Sequence, residues 1–372
     1  MYKGKITELL GSELPMIQAP MAGVQDSALA IAVCEAGGLG SLPCGMLSAD
    51  KIVAEIETIK AATDKPFNLN FFCHEMPEHD AQQQKIWRDT LRPYFNELGS
   101  EPENHSGGAS RLPFSDEIAD AIEHCQPRVI SFHFGLPKPD LLARVKSWGC
   151  AVLSSATTLQ EALWLEAHGA DAIIAQGAEA GGHRGMFLTN DVTTQLGTFA
   201  LVPQIAHNVR IPVIAAGGIA DSRGIKAAMT LGAEAVQLGT AYMLCSEAKT
   251  SPLHRSAISS DRAEHTALTN VFSGRPARGI VNRAMRDLHY LSSLAPQFPY
   301  ASAEMSALRT LAEQQGRDDF TPLWCGQNTS GCVAISAAEL TLLLATESGM
   351  LPLRSHLTMG PPLWFHGSLV QY

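Results

Sequence analysis

At 372 residues, 45% of them hydrophobic and 17% charged, the chain has ample apolar material for a sizeable core. A net charge of −10 argues against nucleic acid or an anionic membrane surface as a partner. No apolar run is long enough to span a bilayer, and the first ten residues lack a long apolar core, so neither a membrane anchor nor a signal peptide is expected. The eight cysteines are scattered without a CxxC pair and read as reduced thiols of a cytoplasmic protein.

Eight short β-like runs follow one another at 14–19, 39–42, 67–71, 129–134, 151–155, 172–176, 212–216 and 235–239. Helical patterns fall between most of them, most clearly at 26–36, 49–62, 138–148, 158–168 and 222–231. Alternating β and α with buried strands predicts a parallel sheet. Eight units predict an α/β fold closed as a (β/α)8 TIM barrel, with an open doubly wound sheet as the alternative. Residues 1–372 then form a single domain with two departures from the repeat. Residues 75–126 make an insertion after strand three, carrying one helix at 80–98 and a polar loop from Gly99; on the catalytic face of a barrel it is placed as a lid is. Residues 246–372 hold the eighth helix and a C-terminal helical extension, with helices at 301–315 and 334–346, expected to pack on the barrel.

Strands seven and eight both end in glycine, in Pro212-Val-Ile-Ala-Ala-Gly-Gly-Ile219 and Ala235-Val-Gln-Leu-Gly-Thr-Ala241. Such turns let the backbone approach a ligand and aim N–H groups at an anion. They predict a phosphate site after the last two strands of a barrel. Strand parity then assigns the side chains, because alternate residues face the same way. Ser131 pairs with His133, Asn68 with Asn70, Ile174 with Gln176, Ala235 with Gln237 and Met16 with Gln18. If the helix-facing layer is apolar, the mouth carries Gln18, Asn70, His133, Gln176 and Gln237. Solvated strand ends are the bland alternative; five of them on one inferred face suit a flat heterocycle rich in donors and acceptors. His133, as the one strand-end histidine, is the candidate catalytic group, able to take a proton or to stabilise an anion. After strand six, Glu179-Ala-Gly-Gly-His-Arg-Gly185 allows close backbone approach, and His183 and Arg184 are candidates to hold an anionic substrate group. No metal site is expected: His74…His79 has the wrong spacing for HExxH and contains Pro77, and Cys325…Cys332 lacks nearby ligand partners.

These segments resemble the nitronate monooxygenases (2-nitropropane dioxygenases), class I. The resemblance runs through Ile17-Gln-Ala-Pro-Met-Ala-Gly23, Asn68-Leu-Asn-Phe-Phe72, Ser131-Phe-His-Phe-Gly-Leu-Pro137, Ser154-Ser-Ala-Thr-Thr158, Ala175 to Gly185, Ala215-Ala-Gly-Gly-Ile219 and Gln237-Leu-Gly-Thr240. It implies FMN held noncovalently at the mouth by Ala19, Met21, Asn70, Gln176, Gly181, Gly217, Gly218, Gln237, Leu238, Gly239 and Thr240. It implies His133 as the active-site histidine, and Tyr300 beside His183 and Arg184 on the substrate side. The implied reaction is oxidation of alkyl nitronates, propionate 3-nitronate above all, by O2 to a carbonyl compound (3-oxopropanoate) with nitrite and nitrate, through single-electron transfer to the flavin. Detoxification by a monomer or homodimer is the implied setting, with nitronate and O2 as the small-molecule partners. Two rivals remain open at this point: an FMN-dependent NAD(P)H reductase of the enoyl-acyl carrier protein or quinone reductase type, and a non-redox phosphate-binding isomerase or lyase.

Overall fold

The computed structural model describes residues 4–102 and 111–352; the C-terminal end of the predicted extension and most of the polar loop after Gly99 lie outside the described residues. The eight predicted runs become eight parallel strands. They are β1 (Met16–Gln18), β2 (Gly40–Pro43), β3 (Phe67–Phe72), β4 (Val129–His133), β5 (Ala151–Ala156), β6 (Ala172–Gln176), β7 (Val213–Ala216) and β8 (Ala235–Leu238). Each pairs with the next, β8 pairs with β1, and a parallel bridge between Ile17 and Leu39 joins β1 to β2. The sheet is therefore a barrel.

The predicted helices start where polar caps stand. Asp26, Ser48, Asp80, Thr158, Asp221 and Ser336 each accept a backbone N–H in the first turn, satisfying donors that a helix leaves orphaned. Barrel helices at Ser27–Glu35, Ala49–Ala62, Pro139–Ser147, Leu159–Ala167 and Ser222–Thr230 match the predictions. The sequence reading missed Asp116–Ile122 and Thr198–Asn208, which fill the third and sixth helix positions.

Two further findings organise the ends of the barrel. Helix Lys5–Leu10 brings Ile6 and Leu10 against Ile17, Leu39, Val129, Leu153, Ile174, Ile214 and Ala235, so the N-terminal segment plugs the bottom. The eighth helix comes late in the chain. Ala337–Glu347 places Leu340 and Leu344 in one core with Leu29, Val33, Ile225 and Ala228, between the first and seventh barrel helices.

Residues between β8 and that helix build a roof over the mouth. Thr266–Thr269, Ala277–Ile280 and Gly182–His183 form a three-stranded antiparallel sheet, which ties the loop after β6 to the C-terminal region. Helix Ala81–Glu97 from the segment after β3 shares a core with helix Ser302–Gln314, through Trp87, Leu91, Phe95, Met305 and Leu308. No helix among the described residues is long and apolar enough to cross a membrane.

Strand parity holds for β3, β4, β6 and β8 and fails for β1. The inward residue of β1 is Ile17; Met16 packs outward with Leu29 and Val33. Gln18 is thus turned away from the mouth, where its Oε1 accepts from the Ser41 N–H (3.0 Å) and its Nε2 donates to Gln25 Oε1 (2.7 Å). The outer layer is not entirely apolar, because buried amides that satisfy one another are tolerated there.

Candidate active site

A cavity of about 260 Å³ opens at the C-terminal ends of the strands. One wall is backbone. Gly217 and Gly218 adopt φ of 118° and 70°, a left-handed region that glycine enters freely. Thr198 Oγ1 lies 2.9 Å from the Gly217 carbonyl and 2.8 Å from Glu179 Oε2, while Asn328 Nδ2 donates to the Gly218 carbonyl at 3.0 Å. The carbonyls of this turn are therefore engaged behind it. The N–H groups of Gly218, Gly239 and Thr240 donate to no protein acceptor among the described residues. Thr240 Oγ1 accepts from the Gly326 N–H at 2.9 Å, which leaves its hydroxyl proton to donate. Together these groups form a nest suited to a phosphate.

The other wall is side chains. Asn68, fully buried inside the barrel, donates to Ser41 Oγ (3.0 Å) and Ser131 Oγ (2.9 Å). One layer higher, Asn70 donates to Ser131 Oγ (2.9 Å) and the Ser131 carbonyl (3.2 Å). Nothing in the protein donates to Asn70 Oδ1 among the described residues, and Gln237 Oε1 is buried without a partner. Two unmatched amide oxygens on the cavity wall fit a heterocycle that carries N–H donors. Phe72 and Phe134 pack beside His133, with ring centroids 6.3 and 4.5 Å away.

His133 is held at both nitrogens. Nδ1 lies 3.0 Å from Ser155 Oγ and Nε2 lies 3.1 Å from the His183 carbonyl. Burial pushes its pKa down to about 3, so the imidazole is neutral at ordinary pH. Burial likewise holds His183 well below its usual range, with Arg111 close by. The positive charge of the cavity comes from Arg111 and Arg309, which line it; among the described residues no Asp or Glu does.

The structure brings Ala19, Met21, Asn70, His133, Gln176, Gly181, His183, Gly217, Gly218, Gln237, Gly239 and Thr240 to this one cavity. Three expected residues lie elsewhere. Arg184 is fully buried under the loop, its Nε donating to Gln195 Oε1 (2.8 Å) and its Nη2 to the Gln176 carbonyl (2.9 Å); it fastens the loop to β6. Leu238 faces the helix layer, as parity with Gln237 requires. Tyr300 stands outside the cavity, its hydroxyl donating to the Pro77 carbonyl at 3.2 Å and its ring against His79.

Gly181 and Gly218 line the cavity through their backbone, and the space behind them is filled. A Cβ at Gly218 would meet Glu179, and one at Gly181 would lie 2.6 Å from the Cys325 carbonyl carbon. The absence of a side chain at each lets a neighbouring segment pack against the back of the cavity wall. Sequence reasoning missed Ser155, although parity on β5 supplies it: Leu153 lies in the interior core, and Ser155 follows on the same face. Arg111, Arg309, Trp324 and Asn328 also line the cavity, and no local pattern marks them. Among the described residues no His, Cys, Asp and Glu group is able to hold a metal.

The fold is a (β/α)8 barrel with its cavity at the C-terminal ends of the strands, the face on which barrel enzymes carry their chemistry. A sequence profile described as nitronate monooxygenase matches residues 3–347. The chain is 43% identical to a nitronate monooxygenase of Pseudomonas aeruginosa over 346 residues, covering 92% of this chain and 98% of that one. It is 42% identical to one of Paraburkholderia phytofirmans, covering 93% and 95%. Among solved structures it resembles a nitroalkane oxidase from Streptomyces ansochromogenes (TM-score 0.84, 36% identity, 93% and 98% covered). It also resembles FabK from Thermotoga maritima (TM-score 0.71, 28% identity, 94% and 96% covered). The chain belongs to the nitronate monooxygenase family and is an oxidoreductase.

Proposed function

We propose that the protein oxidises alkyl nitronates, propionate 3-nitronate among them, with O2 and FMN, giving a carbonyl compound with nitrite and nitrate. The observation that carries this reading is the charge of the cavity: two arginines, no carboxylate and a backbone nest at the end of β7 and β8. An anionic cofactor and an anionic substrate are both accommodated there.

The residues present fit FMN. Gly218, Gly239 and Thr240 would receive its phosphate, and the unmatched Gln237 Oε1 and Asn70 Oδ1 would accept from its ring. Ala19, Met21, Gln176, Gly181 and Gly217 would line it. When bound, FMN supplies one-electron oxidation of a carbanion and passes electrons to O2. A nitronate already carries its negative charge, so no strong base is required. His133 would flank the anion as a neutral ring whose Nε2–H is held by the His183 carbonyl, and Arg111 and Arg309 would attract the anion and hold a second acidic group of the substrate. Phe72 would exclude water on the His133 side of the cavity, with Phe134 packed against it.

Aerobic mixing of the purified yellow protein with propionate 3-nitronate is the test, with O2 uptake and nitrite as readouts. A colourless protein, or one that consumes no O2 with any nitronate, sinks the reading. The likeness to FabK keeps one alternative in play, an NAD(P)H-dependent reductase. Rapid anaerobic bleaching by NADH, without turnover of nitronate, would favour it.

A further inference from the structure

The contacts of His133 settle which of its nitrogens carries the proton. A carbonyl oxygen only accepts, so at 3.1 Å from the His183 carbonyl Nε2 must be the donor. Nδ1 is then the acceptor, and Ser155 Oγ at 3.0 Å donates to it. The carbonyl is itself held in place. Gln176 Nε2 also donates to it (3.0 Å), while Gln176 Oε1 accepts from the Gly185 N–H (2.8 Å), which fixes the amide orientation. Gly185 completes the enclosure: a Cβ there would lie 2.8 Å from Ser155 Cβ and 2.9 Å from His133 Cε1.

We propose that Ser155 is a positioning residue whose hydroxyl, donating to His133 Nδ1, fixes the imidazole as the neutral tautomer protonated on Nε2. This assignment stands on geometry alone. Its consequence for substrates rests on the proposed function. A ring locked this way offers no open lone pair to a substrate proton, because Nε2 already bears a proton, given to the His183 carbonyl, and the Nδ1 lone pair accepts from Ser155.

The test is ring 15N NMR of the histidine-labelled holoenzyme. The titratable and charged groups facing the ring are His183, Arg184 and Arg275. Burial keeps His183 neutral, and Arg184 and Arg275, lowered to about 9 and about 10, stay cationic. The wild-type signal should show Nε2 protonated and Nδ1 as a hydrogen-bonded acceptor, unchanged between about pH 5.5 and 8. Ser155→Ala should populate the Nδ1–H tautomer and lower kcat on nitronate about tenfold, and Ser155→Thr should restore both. Ser155→Cys, a weaker donor of similar size, should be intermediate, and it serves if the alanine variant does not fold. A wild-type ring protonated on Nδ1 overturns the proposal. So does a Ser155→Ala variant that loses activity with unaltered tautomer populations, since Ser155 would then be merely structural. The expected tautomer in a protein with no nitronate turnover would support Ser155 and refute the proposed function.

Discussion

The two walls of the cavity are built by opposite means. At the ends of β7 and β8 the ligand-facing groups are backbone N–H groups, exposed by turns in which Gly217 and Gly218 hold positive φ. Along β3 to β6 they are side chains, and each is held by a group from a distant segment: Asn70 by Ser131, His133 by Ser155 and the His183 carbonyl. A backbone wall is specified where it stands, because left-handed φ needs glycine at that position. A side-chain wall depends on long-range packing to set rotamers and protonation.

The largest effect should come from breaking the backbone wall. Gly218→Val forces a β-branched residue into φ of 70° and its Cβ to 3.2 Å from Glu179 Cβ, at a cost of about 1–2 kcal/mol or more. Flavin absorbance per mole of protein should fall at least about tenfold, the distorted turn no longer presenting its N–H groups to phosphate. Normal flavin content would refute the placement of the phosphate.

His133→Asn tests the opposite wall. It should retain flavin and lose about 10²-fold in kcat on nitronate, the scale of removing one positioned polar group beside the reacting atoms. Unchanged kinetics would remove His133 from the reaction.

Acid should loosen the same wall without touching the other. Burial lowers the pKa of His133 to about 3 and of His74 to about 4, below the ordinary value near 6.5. The unfolded chain therefore takes up protons first as pH falls. Their contribution to stability is complete above about pH 6.5 and is lost progressively below it, at about 1.4 kcal/mol per pH unit for each group. Urea midpoints measured from pH 7 to pH 5 should decline, and a flat profile would contradict the neutral histidines.

Smaller effects should follow at the rim. Arg309→Ala should raise KM about tenfold for a carboxylate-bearing nitronate and little for an uncharged-chain nitronate, as loss of one charge-assisted contact predicts. Equal effects on both would assign Arg309 to steering alone. Tyr300→Phe, remote from the cavity, should change kcat/KM less than about twofold; a larger loss would return Tyr300 to the site.

Much of the barrel was legible because its signals are local. The strand runs, the capped helices and the glycine ends of β7 and β8 depend on a few neighbouring residues. Parity on β3, β4, β6 and β8 placed Asn70, His133, Gln176 and Gln237 on one face. It misplaced Gln18, because a buried amide pair with Gln25 satisfies the outer layer, and a parity argument cannot see such a partner. Arg184 misled for a related reason: a guanidinium beside a glycine loop reads as an anion site, but here it braces the loop from beneath.

The eight-fold alternation, the glycine turns and the strand-end polar residues are readable from the chain alone, since period-two patterning and φ requirements are written in adjacent residues. The eighth helix at Ala337–Glu347, Arg111 and Arg309 together at the mouth, and the hold of Ser155 and the His183 carbonyl on His133 emerge only when the chain is folded. Those are contacts between segments far apart in the chain. Their geometry is set by packing of the whole barrel and its roof, which no local pattern encodes.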